Sequence, residues 1–133
     1  MKRRIWLSIA LLVVSLAGQS QEPDKIPAGI SLAFKAGNAS ELVRYLNSTV
    51  EILLLEKEDF YRKNAAEVVL RDFFTQYPVT DFVMKHQGSN NDVYFAIGSL
   101  TTGKNSFRVY FLLKKTPEGL LIHQIRIEPD NGG

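Results

Sequence analysis

The two histidines of this sequence, His86 and His123, are the side chains whose chemistry is best suited to pass a proton. The chain has no cysteine, which excludes thiolate nucleophiles, thiolate metal ligands and disulfides. Strand alternation sets both histidines on one face, in the row His86, Val93, Leu113, His123. Three inter-strand steps would then hold them roughly 14 Å apart. A shared zinc needs ring nitrogens within about 4 Å, since each Zn–N bond is near 2.1 Å. No metal and no cofactor are therefore expected. The carboxylates offer little more. Asp72 points off the apolar stripe of its helix, Asp81 and Lys85 fall off the core face of their strand, and Glu51 opens a strand, so all read as solvated charges. No Ser-His-Asp order, phosphate loop or glycine-rich nucleotide fingerprint occurs.

The elements that must position these residues lie mostly in the C-terminal half. Ser106 to Lys115 carries Phe107, Val109, Phe111 and Leu113 at period two, with Tyr110 and Leu112 on the other face. Such a strand is expected at the centre of a sheet, covered on both sides. Val93 to Leu100 reads as its upstream partner, joined through Thr101 to Asn105, with Phe95 opposite Phe111 and Ile97 opposite Val109. Downstream, the turn Thr116-Pro117-Glu118-Gly119 leads into Leu120 to Glu128, which sets Ile125 opposite Phe111 and Ile127 opposite Val109. Val79 to Gln87 would be the first strand of the four, with Phe82, Met84 and His86 on the core face.

Upstream of the sheet the pattern changes to helices. Ile26, Ile30, Ala33 and Phe34 form a helical stripe that Gly37-Asn38 should end. Ser40 is a candidate N-cap for a short helix from Glu41 to Leu46. Asn47 to Lys57 reads as a fifth strand, and Asn64 as the cap of a third helix, Ala65 to Tyr77, which Pro78 closes. Asn38-Ala39-Ser40 and Asn47-Ser48-Thr49 fit the glycosylation pattern but are better read as caps and turns.

Residues 1–20 stand apart as a signal peptide: Lys2-Arg3-Arg4, an apolar run from Ile5 to Ala17, then small residues at Ala17, Gly18 and Ser20. The run falls short of the ~20 residues a spanning helix needs, so no stable membrane anchor is expected after cleavage. Without those three cations the formal charge moves from +2 to −1, and no basic cluster remains to track a phosphate backbone. Nucleic acid is thereby excluded as a partner. The expected product is exported, periplasmic or secreted, with residues 21–133 as a single domain.

The order helix, helix, strand, helix and four antiparallel strands resembles the nuclear-transport-factor-2-like superfamily, also called SnoaL-like or cystatin-like. More narrowly, IPAGISLAFKAGNASEL, YRKNAAEVVLRDFF, FRVYFLLKK and IHQIRIE resemble the family known as domain of unknown function 4783. The resemblance implies an α+β fold, a curved antiparallel sheet of about five strands wrapped as a cone around three N-terminal helices. It also implies an interior in which superfamily enzymes hold an Asp or His base with a Tyr or Asp donor. Here the expected core face has no carboxylate, and His86 and His123 are the catalytic candidates.

Phe34, Phe74, Phe95, Phe111 and His123 are the candidate ligand-lining residues, and Phe73 and Phe107 could fill the same space. Tyr94, Tyr110, Leu112 and Ala96 are expected on the outer face, where superfamily relatives often pair as homodimers. The reading reached from the sequence is an exported, non-catalytic module binding an apolar small molecule or a peptide. Its alternatives are an isomerase- or dehydratase-like enzyme using a histidine, and a structural accessory of the cell envelope with a filled core.

Overall fold

The computed structural model describes residues 25–130. The signal peptide expected over residues 1–20 lies outside the described residues. Helix α1 (Ala28–Ala36) buries Ile30, Ala33 and Phe34 and ends at Gly37 in the left-handed conformation. Helix α2 (Ala39–Leu42) is capped by Asn38 rather than Ser40: the Asn38 side chain accepts from the Glu41 N–H at 3.1 Å and from the Ser40 hydroxyl at 2.8 Å. A single 3-10 turn, Val43–Tyr45, leads into β1 (Leu46–Leu54). Strand β2 (Lys57–Arg62) and helix α3 (Lys63–Gln76) follow. A meander then closes the chain: β3 (Asp81–Asn90), β4 (Val93–Thr102), β5 (Asn105–Thr116) and β6 (Gly119–Pro129).

The sheet has six strands in the order β2-β1-β6-β5-β4-β3 and is curved and mixed rather than wholly antiparallel. β1 and β6 run parallel, with Ile52 beside Ile125 and Leu54 beside Ile127. Parallel neighbours need a long crossover. Here β2, α3 and the first three strands of the meander supply it, entering the sheet at its far edge. β2 was not expected as a strand, because KEDFYR has no apolar face. Its backbone pairing to β1, and not burial, makes it one. The cap expected at Asn64 is displaced too: α3 begins two residues earlier than expected, with Arg62 in the cap position, and Asn64 bonds the next N–H, that of Ala65, at 2.9 Å.

All three helices pack on one face. α1 lies along β3, and α3 lies along β1 and β2. Between helices and sheet sits one core whose middle is aromatic. Phe34 stacks on Phe82 with ring centroids 4.9 Å apart and on Phe111 at 5.7 Å, and meets Phe74 edge-on at 6.4 Å. Toward the end of α3, Phe73 and Tyr77 pack edge-on against Phe107. Among the described residues no helix is long and apolar enough to cross a membrane.

Two registers depart from expectation, and both move candidate residues. β5 and β6 pair as expected, Phe111 with Ile125 and Val109 with Ile127. β4 and β5 turn at Gly103 and Lys104 alone, with Thr102 paired to Asn105 and Gly103 at φ 61°. That tight turn fixes the register one residue away from the expected one. Ala96 lies opposite Phe111 and Gly98 opposite Val109, so Phe95 and Ile97 face outward. The second departure comes from two bulges. One lies between Met84 and His86 and the other between Leu112 and Leu113, where Leu113 pairs with Ile122 and Leu112 with Gln124. A bulge inserts a residue and reverses the alternation beyond it.

Candidate binding site

The bulges decide where the histidines go. Phe82 and Met84 face the helices as expected, but beyond the bulge His86 pairs with Ile97 on the outer face. His123 is the extra residue of the β6 bulge, half-buried, its Nδ1 3.1 Å from the Leu121 carbonyl oxygen. The expected row through Val93 and Leu113 does not form: Val93 pairs with Asn90 and Lys114, and Leu113 with Tyr94 and Ile122. Neither histidine enters the apolar interior. Among the described residues no cluster of three or more His, Asp or Glu has the geometry to hold a metal.

The candidate ligand-lining residues divide in the same way. Phe34 and Phe111 are fully buried and Phe74 nearly so, packed against one another rather than around a space. Phe95 stands on the outer face with its ring over Gly88. Of the residues expected at an outer interface, Tyr110 and Leu112 do face outward, opposite Ile97 and Phe95. Tyr94 and Ala96 lie on the helix side, carried there by the one-residue shift.

Next to His123 the outer face holds a shallow recess of about 360 Å³ lined by Thr49, Glu51, Phe60, Leu112, Lys114 and Gln124. Gln124 Nε2 donates to Glu51 Oε1 at 3.0 Å. Beside it, the Glu58 carboxyl is held above its usual range, chiefly by its hydrogen bond to Glu51, while the Arg126 charge pulls it down. This is a solvent-facing network, with none of the water exclusion that general acid–base chemistry exploits. A cleft of about 620 Å³ lies at the far end, between Tyr77, Lys104 and the β1–β2 turn.

The most apolar opening is a cleft of about 650 Å³ between the first turns of α1 and the tip of the β3–β4 hairpin. Pro27 opens α1, its carbonyl accepting from the Ile30 N–H at 3.1 Å, and this turn carries Ile26 and Ala28 to the rim. Leu32, which lies off the buried stripe of α1, forms one wall and is 65% exposed. Met84 and Tyr94 form the other wall, with Gln87, Ser89 and Ser31 as polar groups around them. The sequence did hold a sign of this site, an apolar residue at position 32 outside the helical stripe. Met84 faces the helices as expected, whereas Tyr94 was expected on the opposite face of the sheet.

A six-stranded curved sheet covered on one face by three helices is the architecture of the nuclear-transport-factor-2-like, cystatin-like superfamily. Solved structures bear this out at the level of fold: a domain with a cystatin-like fold from Nostoc punctiforme matches with TM-score 0.63 at 8% identity, over 77% of this chain and 71% of that one. Residues 27–128 match the family described as Domain of unknown function (DUF4783), and the chain belongs to that family. A member from Bacteroides ovatus is 39% identical, with TM-score 0.77 over 80% of this chain and 96% of that one. One from Bacteroides fragilis is 37% identical, with TM-score 0.76 over 80% and 100%. No protein of curated function matches the chain.

Proposed function

We propose that this is an exported binding module, working as a twofold dimer, that takes an apolar small molecule or a peptide in the cleft between α1 and β3–β4. One observation carries the reading: the aromatic stack of Phe34, Phe82 and Phe111 occupies the cone's interior, so the apolar opening lies at its rim. The cleft has the size and make-up of a ligand site, mostly apolar with a few polar groups. Its lining includes no carboxylate and no histidine. His86 and His123, the two candidate bases, stand on the other side of the sheet. Both facts support binding over proton transfer.

Native mass spectrometry of the mature protein purified from its source tests the proposal. The expected result is a bound species that denaturation releases and that the variant Ala28→Trp, which plugs the rim from an exposed position, does not retain. Protein that carries nothing from its source overturns the reading. The same spectra test export, because the mature chain should begin between Gly18 and Glu22. An N-terminus still at Met1 in the exported fraction would end that part of the proposal.

A further inference from the structure

The cleft opens onto a sheet edge. β3 is last in the strand order, and among the described residues no strand pairs with its outer side. Helix α1 runs beside it, with Lys35 Nζ 3.8 Å from Asp81 Oδ1 and Leu32 one turn earlier in the cleft wall. Two large apolar side chains flank this edge in water: Leu32 on the helix side, and Val83, 48% exposed, on the outer face. Unpaired N–H and C=O groups between apolar side chains are a template for one more strand. The opposite edge is guarded. β2 carries Lys57, Glu58, Asp59 and Arg62 within six residues, and Asp59 Oδ1 takes up the Phe60 N–H at 2.8 Å.

Charge along the β3 edge points to the chemistry of the occupant. Asp81 is already matched by Lys35, and the exposed Lys85 is the further charge that β3 itself presents to an incoming chain. We infer that β3 accepts an extended, acidic–apolar peptide segment as a seventh strand. Its apolar side chains, at alternate positions, enter the α1 cleft against Leu32 and Met84. The carboxylates between them lie toward Lys85. The bulge after Met84 twists the edge away from flat, extended pairing. That favours a short segment of a partner over an open-ended stack of copies. Main-chain bonds would supply affinity and the cleft would supply selectivity. The inference rests on the cleft reading above and adds the class of ligand.

The test is amide NMR of the mature domain titrated with a capped heptapeptide of alternating leucine and aspartate. Shifts and slowed hydrogen exchange are expected along Asp81–Asn90, with Leu32 and Met84 side chains moving in step. Alternate N–H groups of an added strand face toward and away from its neighbour. Methylating one alternate set of peptide nitrogens should therefore weaken binding at least tenfold and methylating the other set should not. Lysine in place of aspartate, or Leu32→Asp in the protein, should each weaken it severalfold.

If Leu32 and Met84 respond but neither methylated set differs from the parent peptide, the cleft binds apolar chains and the added strand is wrong. If nothing responds at millimolar peptide the added strand is also wrong, and the cleft reading is then judged by its own mass spectra.

Discussion

Gly98 lies under the ring of Phe82: a Cβ there would sit 2.5 Å from Phe82 Cζ and 2.9 Å from the Val83 carbonyl oxygen. Phe82 is itself stacked on Phe34, so it has no direction in which to retreat. Gly98→Ala should therefore destabilise the fold by about 2 kcal/mol, in the range of overpacked cores. Gly88→Ala crowds Phe95 equally, at 2.5 Å, but that ring is on the outer face and can swing into solvent. Its cost should stay below about 1 kcal/mol, in line with surface changes. Urea midpoints of the two variants check the order, and equal losses would contradict it.

A second test at this scale is Glu58. Its carboxyl is raised in the folded protein, so folding favours the protonated form. That contribution is present below the ordinary carboxyl range and is lost as pH rises through the raised folded value. The group is exposed, so the effect is small. Glu58→Gln should gain on the wild type as pH rises from below the ordinary carboxyl range to above the raised folded value. A difference in urea midpoint that stays constant across that span would refute the pairing with Glu51.

At the scale of elements, the sequence was legible where large apolar residues face the core. α1, the helical part of α3, β5, β6 and their mutual register could be read from period alone. β4 misled for a physical reason: its large residues, Phe95 and Ile97, face outward, and its inner row is Ala96, Gly98 and Leu100. The middle of that row, Ala96 and Gly98, is small where rings from α1, β3 and β5 already fill the space above it. The bulges at Lys85 and His123 leave no mark in alternation until the neighbouring strands are placed, and they moved both histidines off the core face. β2, which has no apolar face, is decided by backbone pairing. Of the cleft only Leu32, off the helical stripe, left a sign in the sequence, because the cleft is made by the relation of α1 to β3 and not by any motif. The short α2 depends on its cap, so Asn38→Ala should cost about 1 kcal/mol. Ser40→Ala should cost less, since Ser40 only donates to the cap. Reversed costs in denaturant midpoints would return the cap to Ser40.

For the molecule as a whole, the unsettled surface is the outer face of the sheet. Corrected for register, it carries Tyr110, Leu112, Phe95 and Ile97 as one half-buried stripe, and Phe60, 66% exposed, further along. Arg126 and Gln124 flank the stripe on β6, and the Glu51–Glu58 pair lies beyond them. A mixed surface with an apolar centre suits a non-obligate interface, and an apolar patch of several hundred Å² is unusual on a soluble monomer. The dimer proposed here therefore centres on Tyr110 and Leu112. Leu112→Glu should leave the denaturation midpoint near that of the wild type but shift sedimentation toward monomer, because the carboxylate would be buried without a partner. Tyr94 is the internal control: it faces the helices, so Tyr94→Phe should sediment as the wild type does. A wild type that is already monomeric at tens of micromolar would sink the dimer. The stripe would then need another cover, and the β3 edge, which borders it through His86 opposite Ile97 and Gly88 opposite Phe95, would be the place to look for one.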